Sequence, residues 1–164
     1  MLFRSDRSTP NRTAIENQLS NLVDFYAGEV DRRSWYGFWN HGDVMHTYDS
    51  DRHRWRYDIG GFAWDNSELS TDLWLWYQAL RTGDAQTWRL AEAMTRHTSE
   101  VDVYHTGRFA GLGTRHGVQH WGDSSKQPRV SNATYRRIFY YLTAAERVGD
   151  LMRALITSDH ALRS

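Results

Sequence analysis

The stretches Leu80–Ala85, LRTGDA, and Glu146–Leu151, ERVGDL, share one layout: the end of an apolar-periodic segment, a glycine, and an aspartate that opens the next segment. Glycine tolerates the left-handed backbone that ends a helix, and aspartate accepts from the free N–H groups that begin one, so each stretch predicts a tight helix–helix turn. The two glycines, Gly83 and Gly149, stand 66 residues apart. Two such turns in series predict repeated helical hairpins and an all-α fold.

Outward from these turns the periodicity predicts five helices. Thr13–Gly28, TAIENQLSNLVDFYAG, places Ile15, Leu19, Leu22, Val23 and Tyr26 at helical spacing, with Gly28 as its stop. A second helix starts near Asn66, an N-cap residue, and runs through STDLWLWYQALRT to Gly83. A third opens at Asp84, sets Leu90, Met94 and His97 on one side, and fades between Val101 and Tyr104. A fourth runs from Ser131 to Gly149 through Tyr135, Ile138, Phe139, Leu142 and Ala145, and Asp150 caps a fifth, LMRALITSDHAL. Trp74, Trp76 and Trp88 fall inside helices, where indoles of this kind belong to the core.

In the repeat, the helices starting at Asn66 and Ser131 are equivalent, so they run parallel and begin on one side of the molecule. Each follows a long helix-poor insert, Asp31–Asp65 and about Val101–Val130, and both inserts are therefore expected on one face. Seven of the eight histidines lie between His41 and His120. Within the first insert, VMHTYDSDRHRWRYDI alternates around a polar turn and predicts a short β-hairpin.

Composition narrows the function. A chain of 164 residues can bury one ordinary core. Its twenty Lys plus Arg balance twenty Asp plus Glu, so it has no basic field for nucleic acid or an anionic membrane, and neither is an expected partner. The absence of cysteine removes disulfides and thiolate metal sites. No run approaches the ~18 apolar residues of a membrane span, and MLFRSDRSTPNRT lacks the apolar centre of a signal peptide. Lys126 is the sole lysine, beside nineteen arginines, and arginine grips carboxylates bidentately.

Two clusters carry chemistry. The first, NHGDVMH, offers Asn40, His41, Asp43 and His46. His41, Asp43 and His46 are of the ligand types a zinc or non-haem metal accepts, although their spacing matches no specific motif, so a metal ion is the weaker reading and no cofactor is expected. The second, DVYHTGRFAGLGTRHGVQHWGDSSK, holds Asp102, Tyr104, His105, Arg108, Arg115, His116, His120 and Trp121; its glycines do not form a phosphate loop, because no Gly-Lys-Ser/Thr follows. Trp39, Trp64 and Trp121 offer flat faces for stacking on sugar rings, with Asn40, Arg56, His105, Arg115 and His120 as polar contacts, which makes a polysaccharide or oligosaccharide the expected ligand.

Two reactions on such a ligand compete. Hydrolysis needs paired carboxyl groups, for which Asp43, Asp58, Glu68, Glu100 and Asp102 are available. Elimination from a uronic acid needs a group to neutralise the substrate carboxylate, a base for the adjacent C–H and an acid for the leaving oxygen. His41, His46 and Tyr57 are the acid/base candidates, and Arg56, Arg115 and His116 the carboxylate contacts, with His116 completing the catalytic set. A non-catalytic carbohydrate-binding module would use the same aromatic inserts for recognition alone.

The ordered series WYGFWNHGDVMHTYD, WRYDIGGFAWDNSEL, AEAMTRHTSEVDVYH and GLGTRHGVQHWGD resembles the C-terminal α/α-toroid domain of the rhamnogalacturonan exolyase and YetA-like family of polysaccharide-degrading proteins, over about Trp35–Gly149. The resemblance implies an α/α toroid. Together with the five helices, the two inserts and the β-hairpin read above, it leads to the expectation of an all-α fold, an incomplete α/α toroid of antiparallel helical hairpins with two long site-bearing loops and a short β-hairpin. It also implies β-elimination of pectic rhamnogalacturonan. Family members carry a β-barrel-like domain and a β-sandwich before the toroid. Residues 1–164 are accordingly expected to be a single partial toroid domain of a secreted or exported parent, with the missing β domains as its partners.

Overall fold

The computed structural model describes residues 9–43, 48–49, 51, 53–55, 66, 69–114, 126–130 and 132–159. Helices α1 (Pro10–Arg33), α2 (Thr71–Thr82), α3 (Ala85–Arg96), α4 (Ala133–Thr143) and α5 (Glu146–Ile156) account for most of them, and His97–Val101 continues α3 as a π turn. Strands β1 (Tyr48–Asp49) and β2 (Arg54–Trp55) pair antiparallel, with Tyr48 opposite Trp55 and Asp49 opposite Arg54. None of the described helices is long and apolar enough to cross a membrane.

The helical faces follow from residue spacing. Thr87, Leu90, Ala91, Met94 and Thr95 repeat at three- and four-residue intervals and form the buried face of α3. Leu75, Trp76 and Ala79 do the same for α2. They meet Val23 and Tyr26 of α1, Phe139 of α4 and Val148 of α5 in one core. Trp76 lies at its centre, fully buried, edge-on to Trp88 at 5.0 Å and stacked on Phe139 at 5.6 Å, while its indole N–H donates to Thr95 Oγ1 at 2.7 Å. Trp74 and Trp88 pack against this core, as their place inside helices predicts.

The hairpin turn at Gly83 forms as expected, with Gly83 left-handed and Asp84 accepting from the Thr87 N–H at 2.6 Å. The turn expected at Gly149 does not. The chain turns instead at Ala144, α5 begins at Glu146, and Gly149 lies inside it. Both turns are nonetheless built alike. Thr82 Oγ1 donates to Gln78 O and accepts from Asp84 N, and Thr143 Oγ1 donates to Phe139 O and accepts from Ala145 N. The Gly83 and Ala144 N–H groups each close the preceding helix at 2.8 Å, onto Ala79 O and Tyr140 O. The repeat therefore runs from Gly83 to Ala144, 61 residues, and its shared signal is the threonine before each turn. Gly149 serves close packing, because a Cβ there would meet the Tyr140 ring.

Other helix ends also differ from expectation. α1 starts at Pro10, capped by Thr9, and runs through Gly28 to Ser34, because Glu29 pairs with Arg32 and Arg33 and Val23 and Tyr26 hold the helix to the core. Its Ile15 and Leu22 are exposed rather than packed, as are Tyr141 and Leu142 of α4 and Ile156 of α5. α2 starts five residues beyond Asn66, which is taken by a tertiary contact described below.

Two substitutions test this account of the turns. Ala144 is left-handed at φ 52°, a conformation that costs a residue with a Cβ about 1 kcal/mol, so Ala144→Gly should raise the unfolding free energy in urea by roughly that amount. Gly111 is left-handed at φ 89° and a Cβ there would run into the Ala154 backbone, so Gly111→Ala should lower it by about 2 kcal/mol or more.

Candidate functional site

The roots of the two inserts meet at the end of α3. The first insert leaves α1 at Ser34, buries Trp35, and makes two tight turns, with the His41 N–H donating to Phe38 O at 3.3 Å and the Asp43 N–H to Asn40 O at 3.2 Å. Gly42, at φ 78°, lets this backbone lie against Met94 and Asn66, where a Cβ would not fit. The second insert starts where the π turn ends. Thr114 N donates to Asp102 O at 2.9 Å, Tyr104 N to Leu112 O at 3.0 Å and Gly111 N to Tyr104 O at 2.8 Å, and Gly113 bridges to both Val103 and Gln127.

Between these roots stands His97, fully buried. Its Nδ1 donates to Phe38 O at 2.8 Å, and its Nε2 lies 3.3 Å from Asp43 Oδ1 and 3.4 Å from Asp102 Oδ2. Each ring nitrogen faces an acceptor oxygen, which calls for both N–H groups and hence the imidazolium. Burial works against that charge, but Asp102 and Asp43 outweigh it and hold the pKa at about 10. Asn66 completes the clamp by donating to Asp43 Oδ1 at 2.9 Å and to His41 O at 3.4 Å.

The network continues into the helices. The buried Arg136 guanidinium of α4 donates to Thr98 O in the π turn and attracts Asp72 and Asp102, while burial brings its pKa down to about 10. Asp72, at the start of α2, accepts from Thr98 Oγ1 at 3.2 Å and from Leu73 N at 2.8 Å. Its burial outweighs Arg136 and these hydrogen bonds and raises its pKa to about 6. In the π turn the main-chain bonds reach five residues back instead of four. Here the Thr95 carbonyl accepts from Ser99 Oγ at 2.6 Å, and Arg136 takes Thr98 O.

The described site residues divide into two layers. Trp39 is 57% exposed and Asn40 is exposed, so both stand at the tip of the first turn. His41, 2% exposed, lies beneath them against Trp35. Burial and the charge of His97 lower its pKa to about 4, only partly opposed by Asp43, so it is neutral at neutral pH. His105 is exposed on the second insert, its Nε2 donating to Glu100 O at 2.6 Å and its Nδ1 accepting from Arg147 at 3.1 Å. His46, Arg56, Tyr57, Trp64, Arg115, His116, His120 and Trp121 lie outside the described residues, as do Asp58 and Glu68.

Of the other hydrolytic carboxylates, Asp43 and Asp102 do come together, but on either side of His97 and below the surface, and Glu100 pairs with Arg96. Among the described residues no three His, Asp or Glu side chains form a metal-binding group, and Asp43 is engaged by His97 and Asn66. Spacing along the chain did not single out His97, Asn66, Asp72 or Arg136 as site residues. The available signal was a titratable ring on an otherwise uncharged helical face: His97 follows Leu90 and Met94 on the buried side of α3.

These helical hairpins and their converging inserts belong to a toroid built from helix pairs. The chain belongs to the family of the PcRGLX-like protein C-terminal alpha/alpha toroid domain, which matches residues 2–164 and is the toroid domain of rhamnogalacturonan lyase-like proteins. It is 52% identical over 157 residues to the uncharacterized protein YetA of Bacillus subtilis (strain 168), an alignment that takes in 96% of this chain and 18% of YetA. The chain thus spans under one fifth of the length of that relative.

The charge on His97 makes stability pH-dependent in a set direction. A histidine whose pKa is raised on folding, from 6.5 to about 10, contributes stability fully below pH 6.5 and loses it as pH climbs through its folded value. Between these limits the unfolding free energy should fall by roughly 1 kcal/mol per pH unit. His97→Gln should lower stability at neutral pH and flatten that alkaline slope, as followed by urea denaturation across the range.

Proposed function

We propose that this domain serves, within a longer polysaccharide lyase-like protein, to hold an acidic pectic polysaccharide, rhamnogalacturonan, for cleavage by β-elimination. The observation that carries the reading is the convergence of both inserts on His97, with Trp39 and Asn40 exposed above it. An exposed indole beside an amide offers a sugar ring a stacking face and a hydrogen-bonding edge. Family membership supports a carbohydrate-related role for that surface. A polymeric substrate is consistent with a secreted or exported parent, with the β domains as its structural partners.

Among the acid/base candidates, His41 is held at a pKa of about 4 and kept from the surface, which suits a base poorly, since a general base works best poised near the operating pH. In this reading His41 supports the loop, proton transfer falls to His46, Tyr57 and His116, and Arg56 and Arg115 meet the substrate carboxylate. Trp64, His105, His120 and Trp121 extend the sugar contacts. One observation favours the second reading, a binding module without catalysis: both exposed residues at the described tip, Trp39 and Asn40, are recognition groups.

Incubation of rhamnogalacturonan with the protein carrying this domain should raise the ultraviolet absorbance of the unsaturated uronate. New reducing ends without that absorbance would reject elimination in favour of hydrolysis, and binding without either product would leave the module reading. Trp39→Ala should weaken affinity for rhamnogalacturonan oligosaccharides by roughly three- to tenfold in calorimetry, with the far-ultraviolet circular dichroism unchanged.

A further inference from the structure

The geometry points to His97 as a positioning residue that fixes the exposed Trp39–Asn40 tip by holding the chain on both sides of it. Residue 38 precedes the tip and residue 43 follows it, and His97 engages both, through Phe38 O at 2.8 Å and Asp43 Oδ1 at 3.3 Å. Arg96, its neighbour in the chain, lies over the Phe38 ring with its guanidinium carbon 3.8 Å from the centroid. Two consecutive residues at the end of α3 therefore grip the main chain and the side chain of Phe38. Below the tip, Gly42 is fitted against Met94, one turn earlier on the same helix face. Asn66 ties His41 O to Asp43. The tip is thus moulded on the last turn of α3 in addition to its own two turn hydrogen bonds.

The imidazolium suits this task better than a neutral side chain. It presents two N–H groups in one plane, directed to opposite edges of the ring, and so can span a carbonyl before the tip and a carboxylate after it. The groups around it are Asp43 from the first insert, Asp102 from the root of the second, the neighbouring Arg96, and the neutral His41. Because Asp102 shares the same nitrogen, the second insert is registered to the first through one ring. That the tip meets sugar rests on the proposed function, whereas its positioning by His97 does not.

The test uses the full chain and His97→Gln, whose amide nearly matches the ring in size but has one donor edge and one acceptor edge. Acrylamide quenching of tryptophan fluorescence, compared in each background with the Trp39→Phe variant, isolates the Trp39 contribution. Calorimetry with a rhamnogalacturonan oligosaccharide reads affinity. His97→Gln should alter the Trp39 quenching and weaken affinity roughly tenfold, the scale of losing one charge-assisted hydrogen bond. Unchanged quenching and unchanged affinity in a variant that melts at lower temperature would overturn the proposal and leave His97 a purely structural group. A shift in Trp39 quenching without oligosaccharide binding to the unaltered chain would uphold the positioning role and reject the sugar reading. Should His97→Gln fail to fold, the imidazole ¹⁵N resonances of the unaltered chain decide. A doubly protonated His97 at neutral pH supports the span from carbonyl to carboxylate, and a neutral tautomer overturns it.

Discussion

The buried imidazolium of His97, set between Asp43 and Asp102, is the constraint on which the arrangement of the loops depends. Removing an ion from water costs several kcal/mol, and a buried pair recovers that cost only with close partners and further hydrogen bonds. Both are supplied here from different parts of the chain: Asp43 and the Phe38 carbonyl from the first insert, Asp102 from the root of the second. Neither insert root can leave α3 without exposing His97 or stranding its charge. An apolar contact would have tolerated small slips between these segments. A buried charge does not, because its energy depends steeply on distance and on each N–H finding an oxygen.

The same logic extends through the π turn. One extra residue in the last turn of α3 swings Asp102 back toward His97, with the Asp102 N–H closing on His97 O at 3.1 Å. The Thr95 and Thr98 carbonyls beside and within that turn accept from Ser99 and Arg136. Arg136 belongs to α4 and Asp72 to α2, so the second helical hairpin reads the position of the first through a polar contact as well as through the Trp76–Phe139 stack. The apolar core holds the hairpins together. The polar network fixes the loop roots relative to that core, and so determines where Trp39, Asn40 and His105 stand.

Much of the fold was legible in the chain because it depends on local spacing. Leu90, Ala91 and Met94 could make only one face, Thr-Gly-Asp at Thr82–Asp84 could make only one turn, and the indoles of α2 and α3 had no other place to go. The site was legible in part. The motif containing Trp39, Asn40 and His41 stood out by composition, but whether each side chain faced solvent or core depended on how the insert lay on α3. Asn66 looked like a helix cap because its type suits one; a carboxylate 23 residues earlier claimed its amide instead, and α2 began later.

The sequence by itself determined the helical class, the hairpin at Gly83, the two inserts and the family, since periodicity, turn chemistry and an ordered series of motifs are all written along the chain. Tertiary structure alone decided that the second turn falls at Ala144, where the Thr143 hydroxyl and the packing of Tyr140 on Gly149 outweigh the absence of glycine from the turn. It also decided which histidine carries the charge. His41 and His97 have the same side chain and nearly the same burial, yet one is neutral and the other an imidazolium. The difference lies in two carboxylates 59 residues apart in the chain and on opposite sides of one ring, a proximity that spacing along a sequence does not encode.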